Sequence, residues 1–193
     1  MEGILVLFAY LIGSIPTGIL LTKGFSKQDP RTVGSRNIGA TNIYRTAGKT
    51  PAVLTLAGDT LKGFVPVALA RCWHFPELWV SLTALAVFLG HLFPIFLRFK
   101  GGKGVATALG LFLALAPWAV AIDLPIFCGI LATWRIVSLA SMTAAAVMPI
   151  LVWISTGSPS YLVMSMCVGA LIVYRHRTNI QRLLAGQENR FKI

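Results

Sequence analysis

Three polar segments interrupt an otherwise apolar chain, and each carries side chains that bind anions. The first runs Gly34-Ser35-Arg36-Asn37-Ile38-Gly39-Ala40-Thr41-Asn42 and is followed by Arg45. Glycine lets a backbone approach a ligand, hydroxyls and amides give directed hydrogen bonds, and arginine grips phosphate with two parallel donors. The second, Phe99-Lys100-Gly101-Gly102-Lys103-Gly104-Val105-Ala106-Thr107, leads straight into an apolar run. A glycine-rich turn ahead of a helix gathers N–H groups and partial positive charge, and Lys103 adds a full charge, so the expectation is an anion site. The spacing departs from the P-loop pattern G-x-x-x-x-G-K-[ST] and no strand precedes it, which argues against an ATPase.

The third segment, Tyr174-Arg175-His176-Arg177-Thr178-Asn179-Ile180-Gln181-Arg182, sets His176 and Asn179 three apart, on one face if the helix continues. Arg135, Ser138 and Ser141 form a weaker cluster at intervals of three. Donors abound and acceptors are scarce: Asp29 and Glu188 are the carboxylates that accompany these segments. Such a set suits an anionic substrate, two phosphates at once included. It suits neither metal-assisted hydrolysis nor a glycosidase carboxylate pair, so no metal and no cofactor are expected.

The elements that must hold these segments are membrane helices. Of 193 residues 56% are apolar and only 12% charged, with mean hydropathy +0.76, and the apolar residues fall in long blocks. The expected fold is all-α and polytopic, a single transmembrane domain over 1–193. Its spans are about 3–21, 50–70, 77–97, 104–117, 118–134, 139–155 and 159–174. The first block lacks a basic leader and a small-residue cleavage site and is expected to be retained. The stretch 104–134 is long for one crossing and short for two; Pro117, and Asp123 with Pro125, suggest a turn between two short helices. Basic residues decide the count. With seven crossings and the N-terminus outside, one face receives six Lys/Arg from 23–49, three from 98–103, Arg135 and five from the tail. Treating 104–134 as one crossing moves Arg135 and the tail across, against the positive-inside rule. The net charge of +11 is therefore explained by topology and anionic lipid, and nucleic-acid binding is not expected.

Inside the second span Asp59 and Lys62 stand three apart. Charges at membrane depth cost ~2.5–3.5 kcal/mol each on insertion scales and must find partners, so the two read as a structural pair, as a Lys62 that snorkels towards an interface, or as gating charges of an anion transporter. Cys72, Cys128 and Cys167 show neither disulfide nor metal spacing and read as small core residues.

Beyond residue types, whole runs resemble one family. Gly13-Ser14-Ile15-Pro16-Thr17-Gly18, GSRNIGATNIYR (34–45), GHLFPIFLRFKGGKGVAT (90–107) and HRTNIQRLLAGQE (176–188) are similar, in order, to the bacterial acyl-phosphate:glycerol-3-phosphate acyltransferases, the PlsY family. The resemblance implies a seven-helix enzyme of the cell inner membrane with its site facing the cytoplasm. It transfers an acyl group from acyl phosphate to position 1 of glycerol 3-phosphate, giving lysophosphatidic acid and phosphate at the start of phospholipid synthesis. It implies catalytic roles for Ser35, Arg45, Lys103, His176 and Asn179. Substrate binding is implied for Asn37, Thr41, Gly101 and Gly102; Gly34 joins them from the same first run, and Ser141 is added on placement. The implied partners are acyl phosphate, glycerol 3-phosphate and membrane lipid; no nucleic acid and no obligate protein partner are expected. Other glycerolipid acyltransferases use H-x-x-x-x-D. Here Trp79, Phe96 and Gln181 stand five residues after His74, His91 and His176, so the dyad is absent and His176 is the one cytoplasmic candidate for a general base.

Single-cysteine labelling in a cysteine-free background tests the orientation. Positions 45, 103 and 190 are expected to react from the cytoplasmic side and position 156 from outside; opposite-side labelling of 45 and 190 rules out seven crossings.

Overall fold

The computed structural model describes residues 1–26 and 28–191, which are helical wherever they are regular. The chain divides into two compact units, Met1–Leu115 and Ala116–Ile193. The first unit holds α1 (Glu2–Gly13), α2 (Thr17–Phe25), α3 (Ala40–Ala47), α4 (Lys49–Cys72), α5 (Glu77–Leu92), a 3-10 turn (Ile95–Leu97) and α6 (Val105–Leu115). The second holds α7 (Pro117–Trp134), α8 (Val137–Thr156), α9 (Pro159–Arg175) and α10 (Arg177–Leu184).

Proline and glycine set most of the boundaries. Pro16 separates α1 from α2, Pro117 and Pro159 open α7 and α9 at their first helical positions, and Gly157, at φ 62°, closes α8 in the left-handed region. The expected break in 104–134 falls at Ala116–Pro117. Asp123 and Pro125 contribute nothing to it: both lie inside α7. Proline is tolerated within a membrane helix because the freed carbonyl finds other partners, and Pro66 and Pro149 lie inside α4 and α8 in the same way. Among the described residues, five helical stretches are long and apolar enough to cross a membrane: Glu2–Phe25, Lys49–Cys72, Glu77–Leu97, Pro117–Trp134 and Val137–Thr156. Val105–Leu115 and Pro159–Arg175 are shorter apolar helices. The three cysteines are exposed on helix surfaces rather than packed in the core, since a thiol sits as comfortably against lipid as against protein.

In the first unit α1 packs along α5 and α4 along α6. The α4–α6 contact is backbone against backbone. A Cβ on Gly63 would overlap the Thr107 carbonyl, and one on Gly110 would overlap the Thr60 carbonyl. Lipid gives no hydrophobic drive to helix association, so close approach through small residues is what holds such a pair together. Arg71, the lone basic residue expected outside, donates from α4 to the Ala114 and Leu115 carbonyls. It thereby closes the C-terminal end of α6, where cation and helix dipole attract.

Gly110→Leu is expected to lower the thermal unfolding temperature of detergent-solubilised protein by ~5 °C or more, as overpacking typically costs about 1–3 kcal/mol and here meets backbone. Gly129→Leu on α7, where a Cβ meets nothing within 4 Å, serves as the neutral control.

Candidate functional site

The first polar segment is wrapped around one amide. Asn42, on α3 and only 1% exposed, donates from Nδ2 to the carbonyls of Pro30 (2.8 Å), Asn37 (2.8 Å) and Val33 (3.2 Å), and its Oδ1 accepts from the Ser35 N–H (2.8 Å). A Cβ on Gly34 would collide with that same Oδ1, and Gly34 has φ 64°. Arg36 also takes the left-handed region, at φ 56°, a conformation that a non-glycine residue holds only where its surroundings impose it. Asn37 Oδ1 accepts from the Gly39 N–H (2.8 Å), so the group it can offer a ligand is its NH2. Ser35, Asn37 and Thr41 are half-buried and Arg45 is exposed. Thr41 and Arg45 stand one turn apart on α3, on the same side of the helix. Asp29 is taken by Arg31 at 2.6 Å, and that guanidinium holds its carboxyl below the usual range.

The glycine turn folds back onto the end of α5. The Gly101 N–H donates to the Leu92 carbonyl (3.1 Å) and the Gly102 N–H to that of His91 (3.2 Å). Both amides thus serve as caps of α5, and the anion-binding capacity expected of the turn passes to the half-buried Lys103 and to the first turn of α6. There the Ala108 N–H is already bonded to the Gly104 carbonyl while the amides before it lie at the open end of the helix. Arg98 and Phe99 enter the turn at φ 51° and 61°. His91, buried, reaches Thr107 Oγ1 (3.0 Å) and lies 3.7 Å from Asp59 Oδ1, which Lys62 Nζ meets at 2.7 Å. Asp59 and Lys62 thus stand in an ion pair, with His91 beside it.

In the second unit the third segment is not one continuous helix. His176 (φ −96°, ψ 8°) ends α9 and begins α10, and the Asn179 N–H donates to the His176 carbonyl (2.8 Å), so both side chains remain together and buried. His176 Nδ1 faces the Ile172 carbonyl at 2.8 Å. A carbonyl only accepts, so Nδ1 carries the proton, and in the neutral ring Nε2 is the acceptor. Glu188 gathers three donors: Asn179 Nδ2 (2.6 Å) and Ser138 Oγ (3.0 Å) on Oε1, and Arg182 Nε (2.7 Å) on Oε2. Burial pushes its carboxyl up, but these hydrogen bonds outweigh it and leave it below the ordinary value of 4.5. Ser141 donates to the Val137 carbonyl (2.8 Å), which leaves its hydroxyl oxygen as an acceptor.

Asn42 and His91 escaped the reading of the sequence. The signal for Asn42 was a buried amide position on α3, visible only once Ile43 is known to share the buried side. The signal for His91 was its place one residue beyond Gly90, four turns along from Glu77 in an apolar helix.

An all-helical membrane protein with cationic, donor-rich segments on its connecting loops is the class these features define. A family model described as glycerol-3-phosphate acyltransferase matches residues 3–186. A glycerol-3-phosphate acyltransferase of Geotalea daltonii is 54% identical over 191 residues, 99% of this chain and 98% of the relative. One of Geobacter sulfurreducens is 52% identical over 191 residues, with the same coverage of 99% and 98%. Among solved structures, PlsY (YgiH), an integral membrane glycerol 3-phosphate acyltransferase, superposes in its glycerol 3-phosphate form with TM-score 0.94 at 44% identity, covering 99% of this chain and 96% of that one. Its lysophosphatidic acid form gives TM-score 0.92 at 42% identity, with 99% and 95% covered. The chain belongs to the glycerol-3-phosphate acyltransferase family.

Asn42→Asp keeps the acceptor for the Ser35 N–H and removes the donors to three carbonyls. It is expected to cost ~2–3 kcal/mol of stability and more than about tenfold in activity, because buried carbonyls lose their partner. Thr46→Ala, which removes one hydroxyl bond to the Asn42 carbonyl, is expected to be mild in the same unfolding and activity assays.

Proposed function

We propose that this chain is the membrane enzyme that acylates position 1 of glycerol 3-phosphate with acyl phosphate, giving lysophosphatidic acid and inorganic phosphate for phospholipid synthesis. The observation that carries the reading is the likeness to PlsY (YgiH) in two solved forms, one described as the glycerol 3-phosphate form and the other as the lysophosphatidic acid form. These ligands differ by one acyl group. The acyl phosphate donor is what the resemblance to the PlsY family implies, and segments rich in cationic and hydroxyl donors suit such a substrate pair with two phosphates. In this reading the chain crosses the cell inner membrane seven times as one transmembrane domain, N-terminus outside, with the donor-rich loops in the cytoplasm. Neither metal nor cofactor is required.

The reaction is a direct displacement. The 1-hydroxyl oxygen attacks the acyl carbonyl, the bond from carbonyl carbon to phosphate oxygen breaks, and the hydroxyl proton passes to the departing phosphate. Phosphate is a good leaving group, so the protein's contribution is proximity and stabilisation of charge. Lys103, Arg45 and the first turn of α6 hold phosphates, on the turn that Gly101 and Gly102 shape. Ser35, Thr41 and the Asn37 NH2 orient them beside Gly34, and Ser141 accepts from a substrate hydroxyl. Asn179, locked to Glu188 through its Nδ2, offers its carbonyl oxygen. His176, with Nδ1–H committed to Ile172, uses Nε2 to align the attacking hydroxyl rather than to carry its proton away.

Purified protein supplied with acyl phosphate and glycerol 3-phosphate is expected to release lysophosphatidic acid and phosphate, and an acyl thioester is expected to serve hardly at all. Lys103→Ala should lose more than about tenfold, and Lys100→Ala, at the entry of the turn, clearly less. Comparable losses in the two would reduce the loop to bulk charge. His176→Gln, whose amide reaches the Nε2 position, should keep measurable turnover that His176→Ala lacks. Robust use of a thioester together with an inactive His176→Gln enzyme would return the role of base to the histidine.

A further inference from the structure

The buried charges of the first unit are used by nothing in the mechanism above, yet they lead directly to it. Asp59 and Lys62 are 2% and 8% exposed on α4, in ion-pair contact at 2.7 Å. Lys62 Nζ also donates at 2.9 Å to the Ile15 carbonyl, which accepts the Thr17 N–H at 3.0 Å as well, where Pro16 separates α1 from α2. The other branch of the pair runs from Asp59 Oδ1 to His91 Nδ1 (3.7 Å) and on to Thr107 Oγ1 (3.0 Å). His91 touches the glycine turn twice. Its carbonyl accepts the Gly102 N–H, and its Nε2 edge lies so close to Gly102 that a Cβ there would overlap it. Thr107 is fixed from behind, because its own carbonyl lies against Gly63 of α4 and Gly110, three residues on, lies against the Thr60 carbonyl. The His91 ring is therefore held between a charged pair on α4 and a hydroxyl on α6. The turn that carries Lys103 is moulded over it.

We propose that His91, braced by Asp59–Lys62 and by Thr107, is a positioning residue for glycerol-3-phosphate acylation, setting the height and direction of Lys103 through its contact with Gly102. This rests on the reading of Lys103 as a phosphate ligand. A staple that merely holds helices together would leave the substrate site intact in every molecule that folds. A brace that sets Lys103 weakens phosphate binding in folded protein, because a point charge on a flexible stem binds well only where its base is fixed.

The test is a double-mutant cycle on kcat/KM for transfer from acyl phosphate to glycerol 3-phosphate, read alongside thermal unfolding. Thr107→Val removes the hydroxyl at nearly constant shape and is expected to lose about fivefold or more, mainly as a raised KM. Thr107→Ser, which restores the hydroxyl, is expected to recover most of it. In a Lys103→Ala background the same Thr107→Val change is expected to cost less than about twofold, since the group it positions is gone. Equal losses in the two backgrounds, or no loss in either, overturn the inference. Full activity of Lys103→Ala alone overturns the reading of Lys103 instead. If Thr107→Val does not fold, His91→Asn takes its place: it keeps an amide nitrogen at the Nδ1 position while withdrawing the ring edge from Gly102. The Lys103-dependent loss is then expected unchanged, and a loss independent of Lys103 overturns the inference as before.

Discussion

Within a bilayer a carbonyl released from its helix has no water to bond, and leaving one bare costs several kcal/mol. The first unit departs from regular helix at several points, and each released carbonyl named here meets a donor drawn from another part of the chain. The Ile15 carbonyl takes Lys62, the Leu92 and His91 carbonyls take the amides of the glycine turn, the Phe93 carbonyl takes the Tyr10 hydroxyl, and the end of α6 takes Arg71. Lys62 could not reach this depth as a lone cation, and Asp59 is what makes it tolerable there. The charged pair thus meets the chain at the α1–α2 break, and the glycine turn meets it at the end of α5.

The same requirement shapes the polar loops, which border the membrane rather than cross it. Around Asn42, a single side-chain amide replaces the regular hydrogen-bonding ladder that a helix or strand would have supplied. Around Glu188, one carboxylate draws together the start of α8, the middle of α10 and the tail. Segments organised in this way are held by side-chain hydrogen bonds in place of a regular ladder. In the proposed reaction two mutually repelling phosphates are bound, and donors already in place spend nothing on reorganisation when charge arrives.

Much of this was legible in the residues. Long apolar blocks and proline positions give the helices, since periodicity matters less in lipid than length and breakers do. The expectation at Pro117 succeeded because proline at a first helical position starts a helix. It failed at Pro125 because a membrane helix absorbs an internal proline that a water-exposed one would not. The identity of the cationic segments was also plain, because few other structures concentrate donors without acceptors. Hidden from the sequence was what each polar group does with its hydrogen bonds. The Gly101 and Gly102 amides look like parts of a phosphate cradle and bond the end of α5; Asn42 looks like one more donor and is a hub; His91 looks apolar by context and lies beside both the charged pair and the turn. Spacing alone cannot say which of several amides points inward, because that is decided by helices remote in sequence.

The accounting of acceptors bears on where a proton goes. Both carboxylates that accompany the donor segments are occupied, Asp29 by Arg31 and Glu188 by three partners that hold it ionised. An anion so stabilised is a poor base, for taking a proton would dissolve the bonds that organise the tail. His176 retains an acceptor nitrogen, but its other nitrogen gives its proton to the Ile172 carbonyl. Its neighbours in the chain are two arginines, Arg175 and Arg177. In the proposed transfer the phosphate dianion of the donor has neither handicap. Its basicity rises as the bond to the acyl carbon breaks, and it leaves carrying the proton, so a site built almost wholly of donors requires no base of its own.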